Sequence, residues 1–290
     1  SGYSQYSGIL SPAYTVAIPK EDIDSLFFSY VFKKPQMIHT FQIRSQGITS
    51  DTWNLKFPAF SEIETMLPKI EEQAQIGSFF STLDNLITLH QRKYEKLQNI
   101  KKSCLEKMFP KAGSNVPELR FNGFSDAWEQ CKLGEILDVH SGRDYKHLQE
   151  GPIPVYGTGG YMLSVSEALS YSENAIGIGR KGTIDKPYIL KAPFWTVDTL
   201  FYAIPQEKYD LYFLFDIFQN IDWKKKDEST GVPSLSKTAI NDIEVLVTDL
   251  EEQKQIGTFF RNLDQLITLH QRKYEKLQNI KKSCLEKMFV

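Results

Sequence analysis

The sequence predicts an α+β protein in which mixed α/β domains are separated by two long helices that form an antiparallel coiled coil. Three observations predict it. A long segment occurs twice with few changes, that segment carries a sustained heptad pattern, and the stretch between the copies alternates short apolar runs with Gly- and Pro-rich turns.

The repeat organises the chain. Residues 71–109 recur as 251–289 at an offset of 180, and of these 39 positions only five differ: Ala74/Lys254, Ser78/Thr258, Ser81/Arg261, Thr82/Asn262 and Asn85/Gln265. A fainter repeat lies upstream at an offset of 186. Ala17-Ile18-Pro19 matches Ala203-Ile204-Pro205, and Glu21, Asp24, Phe27 and Phe32 match Glu207, Asp210, Phe213 and Phe218. The expected division is therefore 1–68, the C-terminal part of a first domain lacking its N-terminal half; 69–112, a first long helix; 113–250, a complete second domain; and 251–290, a second long helix. The unit of about 180 residues is far longer than the roughly 20–50 residues of a solenoid repeat.

Within the repeat, apolar residues alternate by four and three. The expected seam runs Ile76, Phe80, Leu83, Ile87, Tyr94, Leu97 and Met108, and in the second copy Ile256, Phe260, Leu263, Ile267, Tyr274, Leu277 and Met288. Leu86, Ile100 and Leu105 are expected to widen this stripe. Gly and Pro are absent from Ser78 to Phe109, and Pro110 ends the pattern. At 1.5 Å per residue such a helix spans about 58 Å. So long an amphipathic helix needs a partner for its stripe, and the second copy supplies one. His90, Lys101, His270 and Lys281 interrupt the seam. They are expected to fix register rather than to ligate a metal, because no second ligand stands at a suitable spacing.

Residues 116–250 read as mixed α and β, with strands at 175–179 and 199–203 and a buried helix over 210–221. Two loops carry candidate chemistry. Tyr156-Gly-Thr158-Gly-Gly160 exposes backbone N–H groups beside a Tyr and a Thr. Arg180-Lys181-Gly-Thr183 sets two cations on a turn that glycine permits. Arginine can read a guanine edge with two hydrogen bonds, while Lys, Thr and N–H groups hold phosphates. A solvated turn is the competing reading of the same residues. Lys224-Lys225-Lys226 is a further basic run, but Asp222, Asp227 and Glu228 flank it.

Composition limits the alternatives. The 290 residues carry a net charge of −2, and residues 116–250 hold 13 Lys and Arg against 20 Asp and Glu, a difference of −7. A domain so acidic binds duplex weakly by itself and better beside a partner that grips the backbone. Three scattered cysteines argue for a reducing, cytoplasmic setting, and no apolar run approaches the roughly 18 residues of a membrane span. Gly177-x-Gly179-x-x-Gly182 matches a dinucleotide fingerprint only formally. Pro187 stops the helix such a motif must open. Walker, HExxH and CxxC sequences are absent, and the five histidines form no triad or metal cluster, so catalysis by this chain alone is not expected.

At this point the residues resemble a known family. Glu251-Glu-Gln-Lys-Gln-Ile256, Leu263-Asp264, His270-Gln-Arg-Lys-Tyr-Glu-Lys-Leu277 and Lys287-Met-Phe289 resemble the long helices of Type I restriction–modification specificity subunits. Val116-Pro-Glu-Leu-Arg-Phe121, Trp128-Glu129 and Lys132-Leu133-Gly134 resemble the start of a target recognition domain. Tyr156 to Gly160, Gly179 to Thr183 and Trp195 to Thr199 look like further elements of it. Ser11-Pro-Ala-Tyr14, Gln46-Gly47 and Asp51-Thr-Trp-Asn-Leu55 are similar to the tail of a related domain. The resemblance implies double-stranded DNA as ligand, with each recognition domain reading half of a bipartite target and the helices setting the gap. It also implies two methylation subunits and restriction subunits as partners. S-adenosylmethionine, ATP and Mg would then act in those subunits, and no cofactor in this one. The alternative is a coiled-coil adaptor or decoy that binds partners without reading DNA.

Overall fold

The computed structural model describes residues 2–4, 6–11, 15–47 and 54–289. Parts of two segments in the resemblance, 12–14 and 51–53, lie outside the described residues. The chain divides into two compact units, 1–96 with 267–290, and 97–266. Two long helices contribute to both: α4, Ile70–Met108, and α8, Leu250–Lys287.

The first unit adds three short helices, α1 (Ser25–Val31), α2 (Pro35–Arg44) and α3 (Phe57–Ser61). Pro35 and Pro58 sit in first turns, where a missing N–H costs nothing. Asp24 caps α1 by accepting from the Phe27 N–H at 2.6 Å. The apolar face of α1 packs Phe27, Tyr30 and Val31 on Ile76, Phe80 and Leu83 of α4. Leu277, Cys284, Leu285 and Phe289 close the cluster. Phe80 stacks between Tyr30, at 5.0 Å, and Phe289, at 5.6 Å. Among the described residues this unit has no β-strand beyond an isolated bridge between Gln46 and Asn54.

The second unit is built on sheets. β2 (Leu137–Ser141), β8 (Leu200–Pro205), β5 (Ala175–Gly179) and β6 (Tyr188–Leu190) form a four-stranded antiparallel sheet in that order. A smaller sheet runs β4 (Gly160–Val165), β3 (Glu150–Gly157), β7 (Trp195–Thr196). In it β3 pairs antiparallel to β4 and parallel to β7. β1 (Glu129–Lys132) pairs with β9 (Glu244–Val247), next to the short helices α5 (Leu133–Ile136) and α7 (Lys237–Asn241). Alternation along the strands sends Ile176, Ile178, Phe201 and Ala203 into the main core. Ala175 and Tyr202 face a second cluster with Leu190 and Phe194. The main core is completed by α6 (Leu211–Asn220), whose Phe213, Leu214, Ile217 and Phe218 are buried, and by Met108, Phe109, Ile256 and Phe260 of the long-helix segments.

The fainter repeat has a structural meaning. Asp210 caps α6 as Asp24 caps α1, accepting from Tyr212 and Phe213 N–H. In each unit a buried glutamine of the long helix accepts from the cap residue's own N–H: Gln73 from Asp24 at 3.0 Å, Gln253 from Asp210 at 2.9 Å. One turn on, Gly77 and Gly257 let the short helix approach closely. A Cβ on Gly77 would lie 3.0 Å from the Phe27 nitrogen, and one on Gly257 would collide with Asp210 Oδ1. Each long helix thus carries the same Gln–Gly socket for the first turn of a domain helix.

In each unit the long-helix segments run antiparallel. In the first, Asp84 pairs with Lys281 and His90 with His270; in the second, Lys101 pairs with Asp264 at 2.5 Å and Phe109 packs on Phe260. The interrupting seam residues therefore meet partners across the helix pair. Of the expected seam, Ile76, Phe80, Leu83, Met108, Ile256, Phe260 and Leu263 are buried, while Ile87, Tyr94, Leu97, Ile267, Tyr274 and Leu277 are half-buried. Met288 departs from the expectation. It lies past the end of α8 and is 40% exposed, because the apolar cluster there closes with Leu285 and Phe289 instead. Leu86 and Ile100 also depart: both are exposed, one position outside what two helices can cover, while Leu105 packs against the main core.

Candidate nucleic-acid interface

The antiparallel register of the central sheet brings several loops to one end. Ser141 closes β2 opposite Phe201, Gly179 closes β5 opposite Leu200, and β8 begins at Leu200. The chain leaving β2, the chain leaving β5 and the segment entering β8 therefore share that end. Segment 196–199 is the hub. The Val197 N–H donates to the Tyr156 carbonyl at 3.0 Å, which brings in the end of β3 and its hairpin tip. The Arg180 N–H donates to the Thr199 carbonyl at 2.8 Å, and Lys181 N–H reaches the same oxygen at 3.3 Å.

The five candidate residues divide by exposure. Arg180 and Lys181 are exposed. The Arg180 guanidinium lies 5.7 Å from the Phe201 ring centroid and donates weakly to the Asp198 carbonyl at 3.4 Å. Its own carbonyl accepts from Leu235 at 2.9 Å, so the backbone is held on both sides. Gly182 has φ of 91°, the left-handed turn that lets Lys181 and Thr183 diverge. Thr183 is half-buried, and its carbonyl oxygen occupies the place a Cβ on Gly179 would need. Thr158 sits at the β3–β4 tip, half-buried beside exposed Gly159. Tyr156 belongs to β3 itself. Its ring stands between Tyr161, at 6.4 Å, and Tyr188, at 6.2 Å, so it supports the hairpin more than it projects from it. Gly177 and Gly179 are strand residues, and a turn rather than a helix follows them.

The sequence reading passed over the loop after β2. Gly142 donates to the Leu200 carbonyl at 3.0 Å and Arg143 N–H to the Thr196 carbonyl at 2.9 Å. The Trp195 indole N–H donates to the Arg143 carbonyl at 2.9 Å. Arg143, Lys146 and His147 are exposed on this loop, with the His147 ring edge-on to Trp195 at 6.1 Å. The available signal was the dipeptide itself: Gly142-Arg143 repeats Gly179-Arg180.

Charge is unevenly spread. Among the described residues, Arg143, Lys146, Arg180 and Lys181 take part in none of the ion pairs, whereas Lys132, Lys224 and Lys225 are paired with Asp242, Asp185 and Asp222. The basic run at 224–226 is thus largely neutralised on the surface. The loop end keeps exposed cations outside any ion pair among the described residues, although Asp144 and Asp198 share it, and such cations are what phosphate or base-edge contact requires. Among the described residues no group of three or more His, Cys, Asp or Glu could hold a metal ion, and no helix is long and apolar enough to cross a membrane.

Comparison with known proteins gives a consistent result. The family described as Type I restriction modification DNA specificity domain matches residues 2–99 and 125–279. The chain is 25% identical over 319 residues to the Type I restriction enzyme MjaVIII specificity subunit of Methanocaldococcus jannaschii, covering 96% of this chain and 72% of that protein. It is 22% identical over 294 residues to the putative type I restriction enzyme MjaX specificity subunit of the same organism, covering 92% and 67%. In fold it is similar to the crystal structure of the Type-I restriction-modification system S subunit from M. genitalium, with a TM-score of 0.70 at 21% identity over 93% of this chain and 73% of that one. The chain therefore belongs to the Type I restriction modification DNA specificity domain family, and it is a specificity (S) subunit.

Proposed function

We propose that this S subunit reads half of a bipartite duplex target through the loop end of its 113–250 domain and performs no bond-making step itself. The observation that carries the reading is the convergence of the Arg180–Thr183 and Tyr156–Gly160 loops on segment 196–199, with unpaired cations exposed in an acidic domain. The long helices at 69–112 and 251–290 serve as the scaffold for two methylation subunits, to which restriction subunits add. Methyl transfer from S-adenosylmethionine, and ATP- and Mg-dependent cleavage, take place in those subunits, in the cytoplasm. Their basic surfaces supply the backbone grip that a domain with a charge difference of −7 lacks.

One observation favours a second reading, a scaffold that engages partners without reading DNA. The first unit, which includes the proposed 1–68 segment, has helices but no sheet among its described residues, and hence no loop end like that of the second. The two readings separate in one experiment. The chain is co-purified with its methylation subunits and bound to labelled duplex in the presence of specific or scrambled competitor. Sequence-selective competition supports the reader; stable complexes indifferent to sequence support the scaffold.

A further inference from the structure

The loop after β2 mirrors the loop after β5. Each leaves the same end of the central sheet, on either side of the start of β8. Each begins with a glycine that tolerates no side chain: a Cβ on Gly142 would collide with the Val197 carbonyl oxygen, and one on Gly179 with the Thr183 carbonyl oxygen. Each continues with an arginine whose N–H and carbonyl are both taken, Arg143 by Thr196 and Trp195, Arg180 by Thr199 and Leu235. Both side chains are exposed, and neither has a carboxylate partner among the described residues.

From this geometry we infer that Arg143 is a second specificity-determining arginine, which reads the target duplex together with Arg180 from the opposite side of β8. The inference rests on the reading of the 113–250 domain as the DNA reader and adds a residue to it. The sheet places the two side chains apart. Arg180 follows β5 and lies over Phe201, whose ring points into the main core, while Arg143 follows β2 on the other side of β8. Two arginines straddling one strand suit base edges at different steps along a groove. A pinned backbone also means that little beyond side-chain rotamer freedom is lost when the guanidinium engages, and it presents the fork from a fixed place, which a two-bond contact to a base edge needs. A residue placed only for bulk phosphate attraction needs no such clamp.

The test uses the full chain assembled with its methylation subunits and two duplex probes. One carries the complete target found by mapping methylation; the other has the half-site assigned to the 113–250 domain scrambled. Wild type should prefer the intact probe. Arg143→Ala should lower that preference about tenfold or more while binding of the scrambled probe changes little. Arg143→Lys, which keeps the charge and loses the fork, should lose preference in the same way. Arg143→Gln guards against a folding artefact, with assembly checked by gel filtration. Full preference in all three variants, or equal weakening on both probes, overturns the assignment of Arg143. If wild type shows no preference between the probes, the DNA-reading role of the domain itself is at fault, and that outcome is seen before any variant is made.

Discussion

His90 and His270, equivalent positions in the two repeats, meet each other, Nδ1 to Nδ1 at 2.8 Å. A residue that pairs with its own repeat copy is what an antiparallel pairing of two like helices produces. Within each unit the lysine of one repeat likewise meets the aspartate of the other, Lys281 with Asp84 and Lys101 with Asp264.

This pair predicts an acid-sensitive helix pair. One ring must donate and the other accept, so two imidazolium rings cannot keep the bond. Burial lowers both pKa values below the ordinary 6.5. His270, Lys273 and Lys93 lower His90 further, and Lys93 and Lys273 lower His270 further. With the folded values depressed, the unfolded chain binds more protons beneath pH 6.5. Stability is therefore full above that pH and falls as pH drops through it. Melting followed from pH 7.5 to 5.5 should show a steeper loss in wild type than in His90→Asn/His270→Asn. Parallel curves would remove the pair from the account.

The Gln–Gly socket predicts an asymmetry between the repeats. Gly257→Ala collides with Asp210 Oδ1 and comes within 2.8 Å of the Phe213 nitrogen, while Gly77→Ala meets its nearest atom at 3.0 Å. Overpacking of this kind costs about 1–3 kcal/mol, and Gly257→Ala should sit at the upper end with Gly77→Ala well below it. Denaturant unfolding of the two variants measures this. Equal effects would mean that α1 and α6 are not seated alike.

Asp216 predicts a stabilising substitution. It is 1% exposed, and its Oδ2 has no hydrogen-bond partner among the described residues. Burial pushes its carboxyl well above the usual carboxylate range, against the pull of Lys101. With the folded value raised, the stability it allows is full below the ordinary carboxylate pKa and is lost as pH rises through the folded value. Asp216→Asn should therefore melt higher than wild type at pH 7.5, with the gain shrinking in acid. A lower melting point at pH 7.5 would show that the charge is needed.

The Arg120–Glu252 pair predicts strong coupling. The guanidinium makes two 2.7 Å bonds to a fully buried carboxylate, which also accepts from Thr248. Breaking one side of such a pair costs about 3–5 kcal/mol because the other charge stays buried. Arg120→Ala should fall in that range, and Arg120→Met with Glu252→Leu should recover much of it. Additive losses in the double-mutant cycle would contradict the pairing.

Much of the fold was legible because it rests on local periodicity and on repetition. The heptads of 71–109 and the strands at 175–179 and 199–203 could be read from neighbours in sequence, and the repeat matched Asp24 with Asp210 without showing that each caps a helix. Met288, Leu86 and Ile100 were misread because a stripe says which residues are apolar, not where a partner's surface ends. The loop at Arg180 was legible from its glycines. Arg143 was not, because its significance lies in bonds to Thr196 and Trp195, some fifty residues away, and only the sheet register brings them together. The socket was half visible: the repeat displayed Gln73, Gly77, Gln253 and Gly257, but not what they hold.

The central claim, that this chain chooses the sequence its partners modify, is tested most directly by mapping methylated bases across the genome of cells with and without the gene. The account predicts a two-part motif methylated only when the chain is present. Identical methylation maps in the two strains would contradict it.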